Sequence, residues 1–343
     1  MLFTNDAIAR QYLDRGIAYF GQHQFQFALV CFDEALRYRP DDTYAKWNRA
    51  TTLLSLGDYQ RGFREHDVAW RLFNWRGFST IGDSTRLDHL PLWRGQRGVK
   101  VLAYHELGHG DAIMAMRWLD ELAVRADVTL VIDQSLARLA RTFLVEVATQ
   151  LPDDLSSFAY RLPFFGVMSA LEQTAETIPA EPYIGTGWRS GAGGDGHTLA
   201  CDPRSIGIAW SGRTQTMFTL ERFLSLFAAT GFELYSLQPG AVGHDVEPLP
   251  AGSDFFDLAN RIEKMDHIVS VDTAAIHLAG AMGHPSAHLL LPSLTDWRWH
   301  RTELWYPQLK TYRQVRADDW SAPFAQLNEA LHREQHHDHR SAQ

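Results

Sequence analysis

Two different hydrophobic spacings divide the chain. Between Leu13 and Pro40 apolar and small residues recur at helical intervals, and Gly16, Tyr19, Ala28, Phe32 and Ala35 return 34 residues later as Ala50, Leu53, Gly62, His66 and Ala69. Small residues at fixed places of such a period let two antiparallel helices approach, while large ones fill the groove between them. Pro40 ends the second helix, because a proline ring cannot continue the backbone ladder. A second, degraded copy runs to about Asn74. Two copies fall short of the three or so that such arrays need to bury a continuous core, so this block is expected to lean on the rest of the chain. It serves either as a docking groove for a protein partner or, the reading preferred for so short an array, as a helical brace or oligomerisation surface.

Farther along, short β-branched runs alternate with helix-length stretches. Val99–Tyr104 and Val128–Asp133 read as buried parallel strands, with a helix over Asp111–Ala123 between them. The glycine-rich stretch Gly185–His197 reads as a hinge. Behind it, Ser205–Trp210, Phe232–Leu237, His267–Asp272 and Ala287–Pro292 read as strands, and Leu220–Ala229, Phe255–Met265 and Ala274–Met282 as helices. The expected organisation is a helical block over residues 1–76, a turn-rich linker over 77–97, α/β domains over 98–198 and 199–332, and a polar tail over 333–343. Two strand–helix series around a hinge imply two doubly wound α/β domains facing a cleft. Ligands of such sheets sit beyond the carboxyl ends of the strands, so the residues just past each strand matter most.

Charge and cysteine content narrow the function. The 343 residues hold 32 Lys+Arg against 41 Asp+Glu, a formal charge of −9, and the basic residues are scattered. A nucleic-acid binder needs a clustered basic face, so that class is excluded. The two cysteines, Cys31 and Cys201, are too far apart in the chain to suggest a disulfide framework or a cysteine zinc site. A reduced, cytoplasmic setting is expected. No apolar run approaches the roughly 18–20 residues of a membrane span. The opening residues carry Asp6 and Asp14 where a signal peptide would be continuously apolar.

Three strand ends carry candidate chemistry. After the first strand stands His105-Glu106-Leu107-Gly108-His109-Gly110-Asp111. One reading is a zinc motif, His-Glu-x-x-His, which requires both histidines on one continuous helix. Gly108 and Gly110 argue against that helix, each costing about 1 kcal/mol relative to alanine in a helix interior. The other reading is a glycine-rich turn that brings backbone close to a ligand, with Asp111 opening the next helix as an ordinary cap, as a proton acceptor, or as both. Asp272 and Thr273 stand where another strand gives way to a helix, with Ala274 and, one turn on, His277. Backbone N–H groups at such a helix start suit a pyrophosphate, although Asp-Thr also caps helices with no ligand at all. Ser211, Gly212 and Arg213 come after a third strand, where a small-residue turn admits a ligand and an arginine neutralises a phosphate. Asp296-Trp297-Arg298-Trp299-His300 sets a charge pair among aromatics and reads as a base-stacking site or, the preferred reading, a wedged surface loop; His332–Arg340 reads as an adventitious metal site or, preferred, a frayed polar tail.

Together these residues resemble bacterial tetratricopeptide-repeat glycosyltransferase-like proteins, whose catalytic half is similar to family-nine, heptosyltransferase-type glycosyltransferases of GT-B fold. The resemblance covers nearly the whole chain. It is carried by Gly108-His109-Gly110-Asp111, by Thr177-Ile178-Pro179-Ala180-Glu181-Pro182-Tyr183, and by Gly207 to Gly212 with Trp210. Its most specific block is Asp272, Thr273, His277, Leu278, Ala279, Ala281, Gly283 and Pro285, with Asp296-Trp297-Arg298-Trp299 after it. The resemblance implies a short tetratricopeptide-repeat block before a GT-B-like pair of Rossmann-like domains. It further implies inverting, metal-independent transfer of a sugar from a nucleotide-diphosphate donor, with no cofactor. Asp111 would be the general base or acceptor contact. Gly108, Gly110, Ser211, Gly212, Arg213, Asp272, Thr273, Ala274 and His277 would line the donor and its phosphates. The partners implied are a nucleotide-sugar and an acceptor glycan or protein.

The chain departs from the family after Trp210. Members usually carry a longer loop with a histidine and an Arg-Ser pair, whereas here Arg213–Thr219 is short and Thr216-Met217 stand in the place of Arg-Ser. A departing diphosphate needs positive charge, and in this loop Arg213, helped by Arg222, is what remains to supply it. The alternative reading is therefore a catalytically degenerate protein that binds nucleotide-sugars or docks a partner as a scaffold.

Overall fold

The computed structural model describes residues 4–67, 83–185, 204–212, 219–228, 231–240 and 245–341. The chain divides into two compact units, one within residues 1–179 plus Asp296–Trp305, the other within 180–295 plus 306–343.

The first unit begins with four helices, α1 (Asn5–Gly21), α2 (Phe25–Tyr38), α3 (Thr43–Leu56) and α4 (Tyr59–His66), packed as successive hairpins. Thr4, Asp42 and Asp58 start α1, α3 and α4 by accepting first-turn N–H groups on their side-chain oxygens. The small positions of the 34-residue period are where the helices touch. A Cβ on Gly16 would lie 2.4 Å from the Phe32 ring, and one on Gly62 would lie 2.6 Å from the Leu54 side chain. Ala28 and Ala50 are fully buried. Ala69 lies outside the described residues.

A four-stranded parallel sheet comes next, in the order β3 (Glu146–Ala148), β2 (Asp127–Val131), β1 (Lys100–Tyr104), β4 (Tyr160–Pro163). Between β1 and β2 the expected helix is split into α5 (His109–Ala115), a 3-10 turn at Met116–Trp118 and α6 (Leu119–Arg125). Helix α7 (Gln134–Ala140) comes after β2, and α8 (Val167–Ala170) after β4. The described part of the expected linker, largely exposed, is anchored to the first unit by three buried side chains. Leu87, Leu90 and Trp93 are buried, the two leucines pack with Leu102, Tyr104 and Val131, and Leu92 bridges to Arg161 of β4. Pro91 lies in extended backbone whose carbonyl accepts the Arg161 N–H of β4, while Leu87, Leu90 and Trp93 point inward.

The second unit is built on a five-stranded parallel sheet in the order β6 (Glu233–Ser236), β5 (Ser205–Ala209), β7 (His267–Ser270), β8 (Ala287–Leu291), β9 (Lys310–Arg313). Its helices are α9 (Leu220–Leu224), α10 (Phe255–Ile262), α11 (Ala274–Ala281) and α13 (Ser321–Ser341). The C-terminal stretch expected to fray is thus the end of a helix that starts at Ser321. Leu327 and Leu331 on this helix enter the core beside Val269, Val271 and Leu290, and so fix its first turns. The segment Thr302–Trp305, helix α12, leaves this order and belongs to the first unit. Among the described residues no helix is long and apolar enough to cross a membrane.

The close contact at Gly16 is testable by thermal melting. Gly16→Ala is expected to destabilise by about 1–3 kcal/mol through overpacking on Phe32. Gly21→Ala, which meets open space at the end of α1, should change stability by less than about 1 kcal/mol.

Candidate functional site

Both sheets reverse their strand order once, between β1 and β4 in the first and between β5 and β7 in the second. The carboxyl ends beside such a reversal are where doubly wound sheets leave room for a ligand. The candidate residues cluster at both places.

In the first unit, β1 ends at Tyr104 and the chain turns through His105 and Glu106 before α5 begins at His109. His105 therefore precedes the helix, and the His-Glu-x-x-His pattern is not presented on one helical face. Among the described residues no group of three or more His, Cys, Asp or Glu is placed to hold a metal ion. Glu106 faces inward, its two oxygens accepting the N–H groups of Phe164 (2.8 Å) and Phe165 (2.9 Å) in the turn after β4. It thereby ties the β1 and β4 ends together. Burial pushes its carboxyl up to about 8, against the pull of those two bonds and with Asp111 adding repulsion.

Asp111 lies one turn inside α5 instead of opening it. Gly108 takes the cap position, and its N–H donates to Asp111 Oδ2 at 3.1 Å. Gly110 is half-buried in the first turn. The other Asp111 oxygen, Oδ1, accepts from the Arg298 guanidinium. This partner comes from the segment expected to be a surface loop, and the structure overturns that expectation. Trp297 and Trp299 are 2% and 1% exposed. Trp297 packs edge-on to Phe63 of α4 at 5.8 Å and lies 6.3 Å from Tyr59, while Trp305 meets Tyr59 at 5.7 Å. Burial raises the Asp111 carboxyl above the usual aspartate range; Arg298 opposes this, and Asp296 adds to it. His66, at the end of α4, is held down to about 3 by burial and by the Arg298 charge, so its imidazole is neutral. Beside the turn, His109 Nε2 lies 3.6 Å from Asp133 Oδ1 and 3.5 Å from Ser135 Oγ. His105 is held down to about 4, chiefly by burial.

In the second unit, β7 leads through Asp272 into α11. Thr273 occupies the cap position, but its hydroxyl bonds Ser270 Oγ at 2.8 Å instead of a first-turn N–H of the helix. Ala274 is the first helical residue and Asp272 is exposed. His277 is buried one turn on, with Nε2 3.8 Å from Asp272 Oδ1 and Nδ1 3.0 Å from the Tyr306 hydroxyl. The structure thus brings Asp272, Thr273 and His277 together. Tyr306 reaches His277 because Gly280 has no side chain, since a Cβ there would stand 2.5 Å from the ring. Pro182, Tyr183 and Ile184 pack on the end of the same helix: Tyr183 and Ile184 donate to the Ala281 carbonyl, and Pro182 covers Gly283, whose φ is +70°. On the β5 side the N–H groups of Trp210 and Ser211 are taken by Gln238 Oε1 at 3.0 and 3.2 Å, while Gly212 is half-buried. Arg213 lies outside the described residues.

Sequence reasoning missed Arg298, Tyr306, Gln238 and Glu106 as site residues. Arg298 and Tyr306 lie far along the chain from their partners, and nothing in local spacing couples them. Glu106 was visible only as part of the zinc-like string.

No family model matches the chain. Protein FlbA of Caulobacter vibrioides is 22% identical over 89% of this chain and 64% of its own length, so the chain spans less than two thirds of that relative. Among solved structures, the ADP-heptose lipopolysaccharide heptosyltransferase II of E. coli aligns with a TM-score of 0.48 at 13% identity, covering 69% of this chain and 99% of that one. The iron-containing dodecameric glycosyltransferase TibC of enterotoxigenic E. coli aligns at 0.44 and 12%, covering 74% and 78%. An O-GlcNAc transferase mutant from Thermobaculum terrenum aligns at 0.29 and 12%, covering 95% and 86%. The assignment to mixed α/β architecture with parallel sheets rests on the strand order and register described above.

The buried Glu106 carboxyl gives a pH test with a definite sign. Its folded value, about 8, lies above its reference value of 4.5, so its favourable contribution is full below about pH 4.5 and is lost as pH rises through about 8. Urea unfolding of the wild type should show stability falling over that window, and Glu106→Gln should fall less steeply. An equal slope in both proteins would place the ionised form of Glu106 in the fold at every pH tested.

Proposed function

We propose that the chain is a glycosyltransferase that moves a sugar from a nucleoside diphosphate donor to an acceptor hydroxyl, with inversion and without a metal, acting in the cytoplasm. The observation that carries this reading is that both motif blocks flank the strand-order reversal of their own sheet, one offering a carboxylate and the other a helix start with no side-chain cap. Asp111 would accept the proton of the acceptor hydroxyl as that oxygen attacks the anomeric carbon. The bond from the anomeric carbon to the diphosphate breaks on the opposite face, and the diphosphate leaves with the electron pair. In the second unit the first-turn N–H groups of α11, after Asp272 and Thr273 and through Ala274, face the place where a pyrophosphate would lie. Arg213 would add charge there, as the sequence resemblance implies. His277, held by Tyr306, would keep Asp272 and the start of α11 in a fixed arrangement. Gly108 and Gly110 would let the acceptor approach the backbone at the β1 turn, and Ser211 and Gly212 would let the donor approach at the β5 turn.

A specific observation bears on the scaffold alternative. The Trp210 and Ser211 N–H groups already have an acceptor in Gln238, which leaves less of the β5 turn to hold a phosphate. Binding and turnover therefore need separate measurements. Titration of ADP-, UDP- and GDP-sugars is expected to raise the melting temperature for at least one donor, since a ligand at about 100 times its Kd stabilises the native state by about 2.7 kcal/mol. Mass spectrometry should then detect transfer or slow donor hydrolysis. Asp111→Asn should bind the same donor and lose about 10²–10⁴-fold in kcat. Donor binding with no turnover in the wild type would favour the scaffold reading, and an Asp111→Asn variant of full activity would remove the base.

A further inference from the structure

We propose that Arg298 is the positioning residue of Asp111, fixing one carboxylate oxygen and keeping the group ionised inside a buried turn. The proposal rests on the reading of Asp111 as the base, and it concerns a residue that no motif argument assigned to the chemistry.

Arg298 is itself held on three sides. One guanidinium nitrogen donates to Asp111 Oδ1 and another to Asp296 Oδ1 at 2.6 Å. The guanidinium carbon lies 4.4 Å from the centre of the Trp297 ring and 5.1 Å from that of Phe165. A planar cation lying against two aromatic rings, with a carboxylate on each of two nitrogens, has little freedom to turn away. Asp111 Oδ2 in turn accepts the Gly108 N–H at 3.1 Å. Each Asp111 oxygen therefore has one of these partners and keeps a second lone-pair direction in which an acceptor hydroxyl can donate.

The charge arrangement explains why such a partner is required. Asp111 faces Glu106 from the same turn, and Asp296 stands on the other side of Arg298. Of the nearby histidines, His66 of α4 is neutral beside Arg298, while His105 and His109 lie on the turn with Asp133 beyond them. Arg298 is thus a cation paired directly with two carboxyls, Asp111 and Asp296, while Asp111 in turn repels Glu106. An opposite charge at this range lowers a carboxyl by about 1–3 pH units, which counters the burial of Asp111.

A role in packing alone would leave the Asp111 titration untouched, so that titration is the test. The full chain, carrying aspartate labelled with ¹³C at the carboxyl carbon, is titrated by NMR, with Asp111→Asn assigning the signal. Arg298→Gln, which keeps the length and removes the charge, is expected to raise the Asp111 midpoint by about 1–3 pH units. Arg298→Lys keeps the charge but loses the planar fork, and should raise it by a smaller amount, about half a unit or more. A folded Arg298→Gln protein whose midpoint stays within about 0.3 unit of wild type overturns the proposal. If Arg298→Gln does not fold, Arg298→Lys decides by the same criterion: a rise supports the proposal and an unmoved midpoint overturns it. The NMR midpoint needs no substrate, so failure of Arg298 to set the carboxylate and failure of the transferase reading are separate results. With a donor that is turned over, the acid limb of kcat/KM should move in Arg298→Gln by the same amount as the NMR midpoint.

Discussion

The first unit depends on a short segment that arrives late in the chain. Asp296–Trp305 inserts Trp297 and Trp305 against Tyr59 and Phe63 of α4 on one side and against Phe165 and Trp118 on the other. Such edge and tilted aromatic pairs contribute about 0.5–1.5 kcal/mol each beyond the area they bury. Arg117 adds a hydrogen bond to the Trp305 carbonyl and a stacked guanidinium at 5.4 Å from its ring. The hairpins share a small core of their own around Ala28 and Phe32, and α4 gains a second one from this segment. Support of that kind was to be expected for so short an array, but nothing in local spacing pointed to residues 296–305 as its source.

The same insertion sets the electrostatics of the first strand end. Glu106 and Asp111 place two carboxyls on one turn and Asp296 stands beyond Arg298; Glu106 meets burial by a raised carboxyl, while Asp111 has the Arg298 charge against it. The aromatic packing that secures the helices also holds Arg298 rigid, so one segment joins stability to the state of the candidate base. In the second unit the equivalent device is steric. Gly280 admits the Tyr306 ring, Tyr306 holds the His277 imidazole, and His277 lies against Asp272. A side chain at residue 280 would displace that ring and with it the partner of His277.

The apolar runs located β1, β2, β5, β7 and β8, because a strand buried on both faces is a continuous apolar stretch; β6, a partly exposed edge strand, was located by the aromatic and aliphatic residues of Phe232–Leu237. Neither signal showed β3, β4 or β9. Glu146–Ala148 is three residues long, Tyr160–Pro163 carries the buried Arg161, and Lys310–Arg313 is largely polar. These strands exist because a neighbouring strand supplies their hydrogen bonds, which local composition cannot report. The helix over residues 111–123 was read as continuous since its apolar spacing is continuous, while its backbone breaks into a 3-10 turn at Met116–Trp118.

The chain by itself therefore determined that two parallel α/β sheets would form, and which short blocks would stand at their strand ends. Both come from local period, glycine placement and the polarity of helix starts. Tertiary structure alone decided what those blocks face. Gly108 rather than Asp111 caps α5, Gln238 takes the β5-turn N–H groups, Tyr306 holds His277 and Arg298 holds Asp111. A hydrogen bond or ion pair between residues 187 positions apart, as for Asp111 and Arg298, leaves no periodic trace in a sequence. It is set by which surfaces the chain buries together.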